Sequence, residues 1–224
     1  LQEGLLYGLL ALGVYISLRV LDIPDLTTEG SFGFGSALAA VLAAGGHTYL
    51  SLPIAFLGGM AAGLITGLLQ TKLQVHPVLA GIITMSGLYS VNLIVRGGPN
   101  LSIGAANLFK QFYKALHLTG DQRKVAGALL ALVICLVVTL LLIVFFKTHV
   151  GLCIRATGDN QDMVRASSIN VDATLILGLC ISNGLIGLAG ALVTHYVGYS
   201  DTSTSNGTLI YGLAAVIIGE ALFG

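Results

Sequence analysis

The chain has 224 residues, 55% hydrophobic and only 9% charged, with zero net charge and a mean hydropathy of +0.92. Soluble domains average about a quarter charged residues, so this composition belongs to an integral membrane protein. No basic face points to nucleic acid, and no run of about ten alternating residues points to a β-barrel.

Seven apolar spans follow in chain order, at residues 4–20, 31–46, 50–69, 77–95, 125–146, 173–195 and 208–224. A helix crosses the hydrocarbon with about 20 apolar residues. The reading is therefore all-α: one transmembrane bundle over residues 1–224. The first span is too long and too rich in glycine for a signal peptide. The chain begins without Met and stops at Gly224 inside an apolar run, so it reads as part of a longer polypeptide.

Gly4 and Gly8 on the first span, and Gly59, Gly63 and Gly67 on the third, have the spacing of packing faces. Helices in lipid associate through close backbone contact, which small residues permit.

The string DLTTEGSFGFGSALAA, from Asp25 to Ala40, leads from the gap after the first span into the second. Asp25, Thr27, Thr28 and Glu29 put polar groups at a membrane helix start, followed by Gly30, Gly33 and Gly35. Such groups are tolerated at depth only where they line a cavity or are buried in protein. A short, broken or re-entrant second helix is expected, with a surface helix cap as the alternative. A similar string, DTSTSNGTLIYGLAAV, runs from Asp201 to Val216. The two helices would enter from opposite sides, as an inverted repeat requires.

The polar stretch 96–124 contains AANLFKQFYKALH. Leu108, Phe112, Tyr113 and Leu116 share one face, and Lys110 and Lys114 lie on another, which predicts a helix on the membrane surface. It is either a plain connector or a ledge for an extracellular binding protein.

Residues 147–172 read KTHVGLCIRATGDNQDMVRASSINVD and hold six of the twenty charged residues, between two uncharged apolar runs. Gly158 is expected to interrupt the helix. Asp159 would then cap a short helix starting at Asn160, with Asp162 near the positive end of its dipole. Met163, Val164 and Ala166 give that helix an apolar patch and Arg165 a charge. It is either a solvated connector or a helix seated in a groove of a soluble partner. Lys and Arg divide evenly between the two faces, so charge leaves the orientation open. The content of the cassette places it in the cytoplasm.

The residues Gly151, Arg155, Ala156, Asn160, Arg165, Ala166, Ile169 and Val171, with NGLIGLAG over Asn183, Leu185, Gly187, Leu188, Ala189 and Gly190, carry a resemblance. They are similar to the coupling loop and following helix of ABC-importer permeases of the branched-chain amino acid and ribose type. The glycine usual before I-x-V is replaced by Ser168 or Ile169, according to register. DLTTEGSFGFGSALAA resembles the subgroup with proposed tryptophan and tyrosine importers. The resemblance covers roughly residues 25–224. It implies a multi-pass permease of the bacterial cytoplasmic membrane, working as a pair of copies or homologues. A separate ATPase would carry ATP and Mg and grip the loop, and an extracellular binding protein would deliver the solute, with amino acids favoured. It also implies an ATPase-coupling role for Gly151, Arg155, Ala156, Asp159, Asn160, Asp162, Met163, Val164 and Arg165, and a packing role for Gly187 and Gly190.

Arg19, Asn92, Ser182, Asn183 and Glu220 are the remaining polar residues in or near spans. Asn92, Asn183 and Glu220 join Asp25, Thr27, Thr28 and Glu29 as pathway candidates, although Ser182 and Asn183 also suit interhelical hydrogen bonding. The alternative function is an ion-gradient transporter working through Glu220 or Asp25. There is no P-loop, no HExxH, no GxSxG and no Cys/His metal spacing, so neither ATP nor a metal is expected on this chain and an enzyme is disfavoured.

Overall fold

The computed structural model describes residues 2–104, 107–115 and 121–223. The elements are α1 (Gln2–Tyr15), continued by a π-helical turn (Ile16–Val20), then α2 (Thr28–Ala44), α3 (Thr48–Thr71) and α4 (Pro77–Arg96). After them come β1 (Asn100–Ser102), α5 (Leu108–Ala115), α6 (Asp121–Lys147), α7 (His149–Asp159) and α8 (Gln161–Ala166). The chain closes with α9 (Val171–Val197), β2 (Tyr199–Asp201), a 3-10 turn (Thr202–Ser205) and α10 (Thr208–Phe223).

Among the described residues, six helices are long and apolar enough to cross a membrane. The second helix, α2, is not one of them. Its 17 residues span only about 25 Å at 1.5 Å per residue. It is a continuous helix, short rather than broken, because its polar start is stabilised by neighbouring side chains.

Local chemistry sets the ends. Pro77 opens α4 at a position where a missing N–H costs nothing, and Gly97 closes it in the left-handed region at φ 72°. Asn170 caps α9 by accepting from Ala173 N, and Gly198 closes it at φ 91°.

The core is α9. In its most apolar window 78% of residues are buried, against 6% for α6, so α9 is the central post and α6 faces outward. Helices α2 and α3 lie against α9 with almost nothing between the backbones. A methyl at Gly59 would collide with Asn183 O, one at Gly63 with Leu179 O and one at Gly190 with Phe32 O. At Gly187 it would sit 2.7 Å from Ala55 O, and at Gly67 3.1 Å from Ile176 Cα. Gly35, whose methyl would strike Gly187 O, belongs to the same seam. Gly4 and Gly8 do not behave as their spacing predicts. Gly4 has open space where a side chain would stand, and Gly8 meets only Cys135 Sγ at 3.9 Å.

β1 and β2 form a small antiparallel hairpin-like pair, with Leu101 opposite Ser200, that joins the ends of α4 and α9. It covers the end of α2, where Ala40 and Ala43 pack on Ile103. It marks one face of the bundle, and the 147–172 cassette marks the other. Arg96, expected in the outer loop, is instead buried in the last turn of α4 and donates to Pro99 O at 3.0 Å.

Candidate functional site: a sunken helix start, a polar cleft and an outward cassette

The segment before α2 folds into the bundle rather than staying at the surface. Asp25, Thr27 and Thr28 are buried. Asp25 accepts from Thr27 N (2.8 Å) and from Asn183 Nδ2 (2.6 Å) near the middle of α9. Ser31 donates to Asn183 Oδ1 at 2.6 Å, and Asn183 also donates to Leu179 O. Thr27 and Thr66 share a hydrogen bond at 2.8 Å, and Thr28 donates to Asp25 O. Asp25, Thr27, Thr28 and Asn183 thus form one network. Its polar groups are paired with one another, as burial demands. Ser31 and Thr66 were not singled out from sequence. Thr66 carried a signal, lying three residues after Gly63 and seven after Gly59 on the packing face.

Glu29 and Asn92 belong to a second place. With Gly30, Met85, Ser86, Tyr89, Ser205 and Asn206 they line a cleft of about 260 Å³ between α2, α4 and the 3-10 turn. Glu29 accepts from Gly207 N at 2.8 Å, so the starts of α2 and α10 meet there. The segment before α2 comes in from the cassette face and the segment before α10 from the strand face. The two helices then run apart. Asn92 is buried, and its Oδ1 has no hydrogen-bond partner among the described residues. Asp201, at the head of the second segment, accepts from the Ser203 and Thr202 hydroxyls, which holds its carboxyl below the usual carboxylate range. Glu220 joins neither group. It pairs with Arg19 between α10 and α1.

The surface helix α5 is present, but Phe109 rather than Leu108 is its buried anchor, edge-on to Tyr196. Leu116 and His117 lie outside the described residues. His195 holds the start of α5: its Nδ1 accepts from Leu108 N at 3.4 Å. That leaves Nε2 as the protonated nitrogen, donating to Ser51 Oγ at 2.8 Å. Ser182 is occupied elsewhere, donating to Gly13 O.

The cassette departs from expectation by one residue and one face. Thr148 caps α7, which runs straight through Gly158 to Asp159. Glycine is needed at 158 because a side chain would collide with Val20 O of the π turn. The cap of α8 is Asn160, not Asp159. Its backbone is extended and its Oδ1 accepts from Met163 N at 3.0 Å. Val164 does not face outward with Met163. It is buried against Ile154, Leu21 and Val171, whereas Met163 is 59% exposed. Burying such side chains contributes about 1.5–3 kcal/mol each, so Val164 and Ile154 fix the cassette to α9 and the end of α1. Gly151 is buried at the α6–α7 corner, where a methyl would meet Phe146 Cα at 2.5 Å. Ala156 packs beside the same cluster. Arg155, Asp159, Asn160, Asp162 and Arg165 point to solvent.

After α8 the turn rests on Ser168, which holds φ 59°. That is the left-handed conformation glycine adopts at little cost, and for other L-residues it costs roughly 1–2 kcal/mol. Ser168 therefore stands where the family glycine would. Ser168→Gly should raise the unfolding temperature by a few degrees and Ser168→Val should lower it, measured by thermal melts of purified protein. A Gly variant no more stable than the Ser parent would refute this.

A bundle with six helices long and apolar enough to span, among the described residues, a paired polar network around Asp25 and Asn183, and an amphipathic helix pair held on one face defines a multi-pass membrane protein. The family model "Branched-chain amino acid transport system / permease component" matches residues 1–224. The chain belongs to that family, whose members are ABC transporter permease subunits and not themselves enzymes. It is 36% identical over 224 residues to a tyrosine transport system permease protein of Clostridioides difficile, covering all of this chain and 72% of that protein. It is 29% identical to a fructose import permease protein of Bifidobacterium longum, covering 98% of this chain and 61% of that one. A probable branched-chain amino acid transport permease protein of Methanocaldococcus jannaschii is 29% identical over 206 residues, 86% of this chain and 65% of that protein. No solved structure matches the chain. Membership of the family implies an ATPase partner and a solute-binding protein.

Proposed function

We propose that this chain is the membrane subunit of an ATP-driven importer of a small amino acid-like solute in the bacterial cytoplasmic membrane. Two copies form the pathway. A separate ATPase, carrying ATP and Mg, grips α7 and α8 on the cytoplasmic face, and an external binding protein docks at the face bearing α5 and the strand pair.

The observation that carries this reading is the form of the cassette. Helix α8 presents Met163, Asp162 and Arg165 outward and is fixed from behind by Val164. A push on α8 therefore reaches the start of α9. Because α9 is in near-backbone contact with α2 and α3, the three would move as one body. Closure of the ATPases shifts the permease only through contacts that differ between their two states. The solute would pass the cleft at Glu29 and Asn92, where a carboxylate and an unpaired buried amide suit an ammonium-bearing solute. The 36% identity to a tyrosine permease supports that class.

Replacing Arg155 and Asp159 together with Ala should reduce uptake at least tenfold in cells or proteoliposomes. ATP hydrolysis by the assembled ATPase should continue, and the chain should still insert. Uptake and ATPase stimulation at parental levels would leave the cassette as a mere connector.

A further inference from the structure

We propose that the groove between α1, α6 and α7 at the cassette face binds the phosphate headgroup of an anionic phospholipid, with its acyl chains lying along α1 and α6. The groove measures about 390 Å³. Its charged lining consists of Arg19, Lys147, Arg155 and Asp159, three cations against one carboxylate, with Tyr15 and Thr139 as neutral polar residues. All three cations stand at the same end. Arg19 lies in the π turn that ends the first membrane helix, Lys147 is the last residue of α6, and Arg155 is on α7. The rest of the lining is mostly apolar, with Leu12 from α1, Ile16 and Val20 from the π turn, and Leu142, Ile143 and Phe146 from α6.

Charge decides the occupant. Arg19 is engaged by Glu220, but Lys147 and Arg155 have no ion-pair partner among the described residues. Even with Asp159 counted, the groove keeps a surplus positive charge that an anion would complete. Position then selects a lipid anion. Among the described residues, helix α6 is the spanning helix least covered by the rest of this chain, and the groove leads from its charged end along its apolar side chains. A headgroup at Lys147 would place its chains against Leu142 and Ile143. Basic pockets between membrane helices at the water boundary are suited to anionic headgroups. Because Arg155 and Asp159 lie on α7, a bound lipid would brace the cassette from its membrane side.

The test is native mass spectrometry of the full-length permease in neutral detergent, titrated with dioleoylphosphatidylglycerol, dioleoylphosphatidylcholine or inorganic phosphate. Phosphatidylglycerol should be retained about fivefold more strongly than phosphatidylcholine, the ratio expected from roughly one unpaired cation near an anionic lipid. Lys147→Gln with Arg155→Gln should remove that preference. Ile143→Trp, which fills the acyl wall and leaves every charge in place, should weaken retention of both lipids. Lys110→Gln with Lys114→Gln, on the opposite face, should change nothing. Equal retention of the two lipids, or a preference that survives the Lys147 and Arg155 changes, would overturn the proposal. So would inorganic phosphate displacing phosphatidylglycerol at equal concentration, since the groove would then be a free-anion site.

Discussion

Asn183→Ala is expected to destabilise the protein by about 3 kcal/mol, because each buried group left without its hydrogen-bond partner costs about 1–3 kcal/mol, and a charged one more. The side chain serves three groups at once. It donates to Asp25 and to Leu179 O and accepts from Ser31. Alanine would leave the Asp25 carboxylate with only the Thr27 N–H and would strand the Ser31 hydroxyl inside the bundle. The loss would also free the sunken start of α2, because Asp25 is what ties that segment to α9. Asp25→Asn should cost less, since the amide oxygen at 25 can still accept from Asn183, although its NH2 cannot accept from Thr27 N. The double variant Asp25→Asn with Asn183→Ala should be milder than the sum of the two single changes. Thermal unfolding of the four proteins in one detergent measures this directly. Strict additivity would show that the two side chains do not share one network.

The second large effect is expected at the glycine seam. Gly35→Ala and Gly59→Ala each bring a methyl into a carbonyl oxygen of α9, belonging to Gly187 and Asn183. The obstacle is backbone, so no rotamer change relieves it, and two helices must separate. Overpacking of this kind costs about 1–3 kcal/mol, with Gly35 expected at the upper end. Separation of α2 or α3 from α9 would also break the transmission route proposed above, so uptake should fall with stability. Gly4→Ala is the control. It meets open space and should be neutral or slightly stabilising, since alanine is the better helix former. Gly59→Ala with an unchanged melting temperature would mean that α3 and α9 are not in backbone contact.

Both predictions concern features that were only half legible in the chain. The spacing of Gly59, Gly63 and Gly67 announced a packing face that the structure shows, whereas Gly4 and Gly8, of the same spacing, meet no backbone closely among the described residues. The difference lies in the neighbour. Gly59 faces α9, whereas Gly4 faces open space. Likewise the polar start of α2 was visible as a cluster, but its partner Asn183 lies 158 residues away. The cluster also divides in space, with Asp25, Thr27 and Thr28 turned to α9 and Glu29 turned to Gly207. In the cassette, composition located the feature, while cap geometry moved the start of α8 to Asn160 and burial reversed the direction of Val164.

By itself the sequence determined the class of protein, the six long apolar helices, the short second helix and the place of the charged cassette. Each of these depends on local sums: hydropathy over about 20 residues, or charge within a loop. Only the tertiary structure decided which face of each helix packs against the rest of the chain and which does not. In water an amphipathic stripe would reveal that choice. Here both lipid and protein interior are apolar, so α6 and α9 both qualify as spanning helices, with mean hydropathies of 3.4 and 2.0. Packing then distinguishes them, burying 78% of the α9 window and 6% of that of α6.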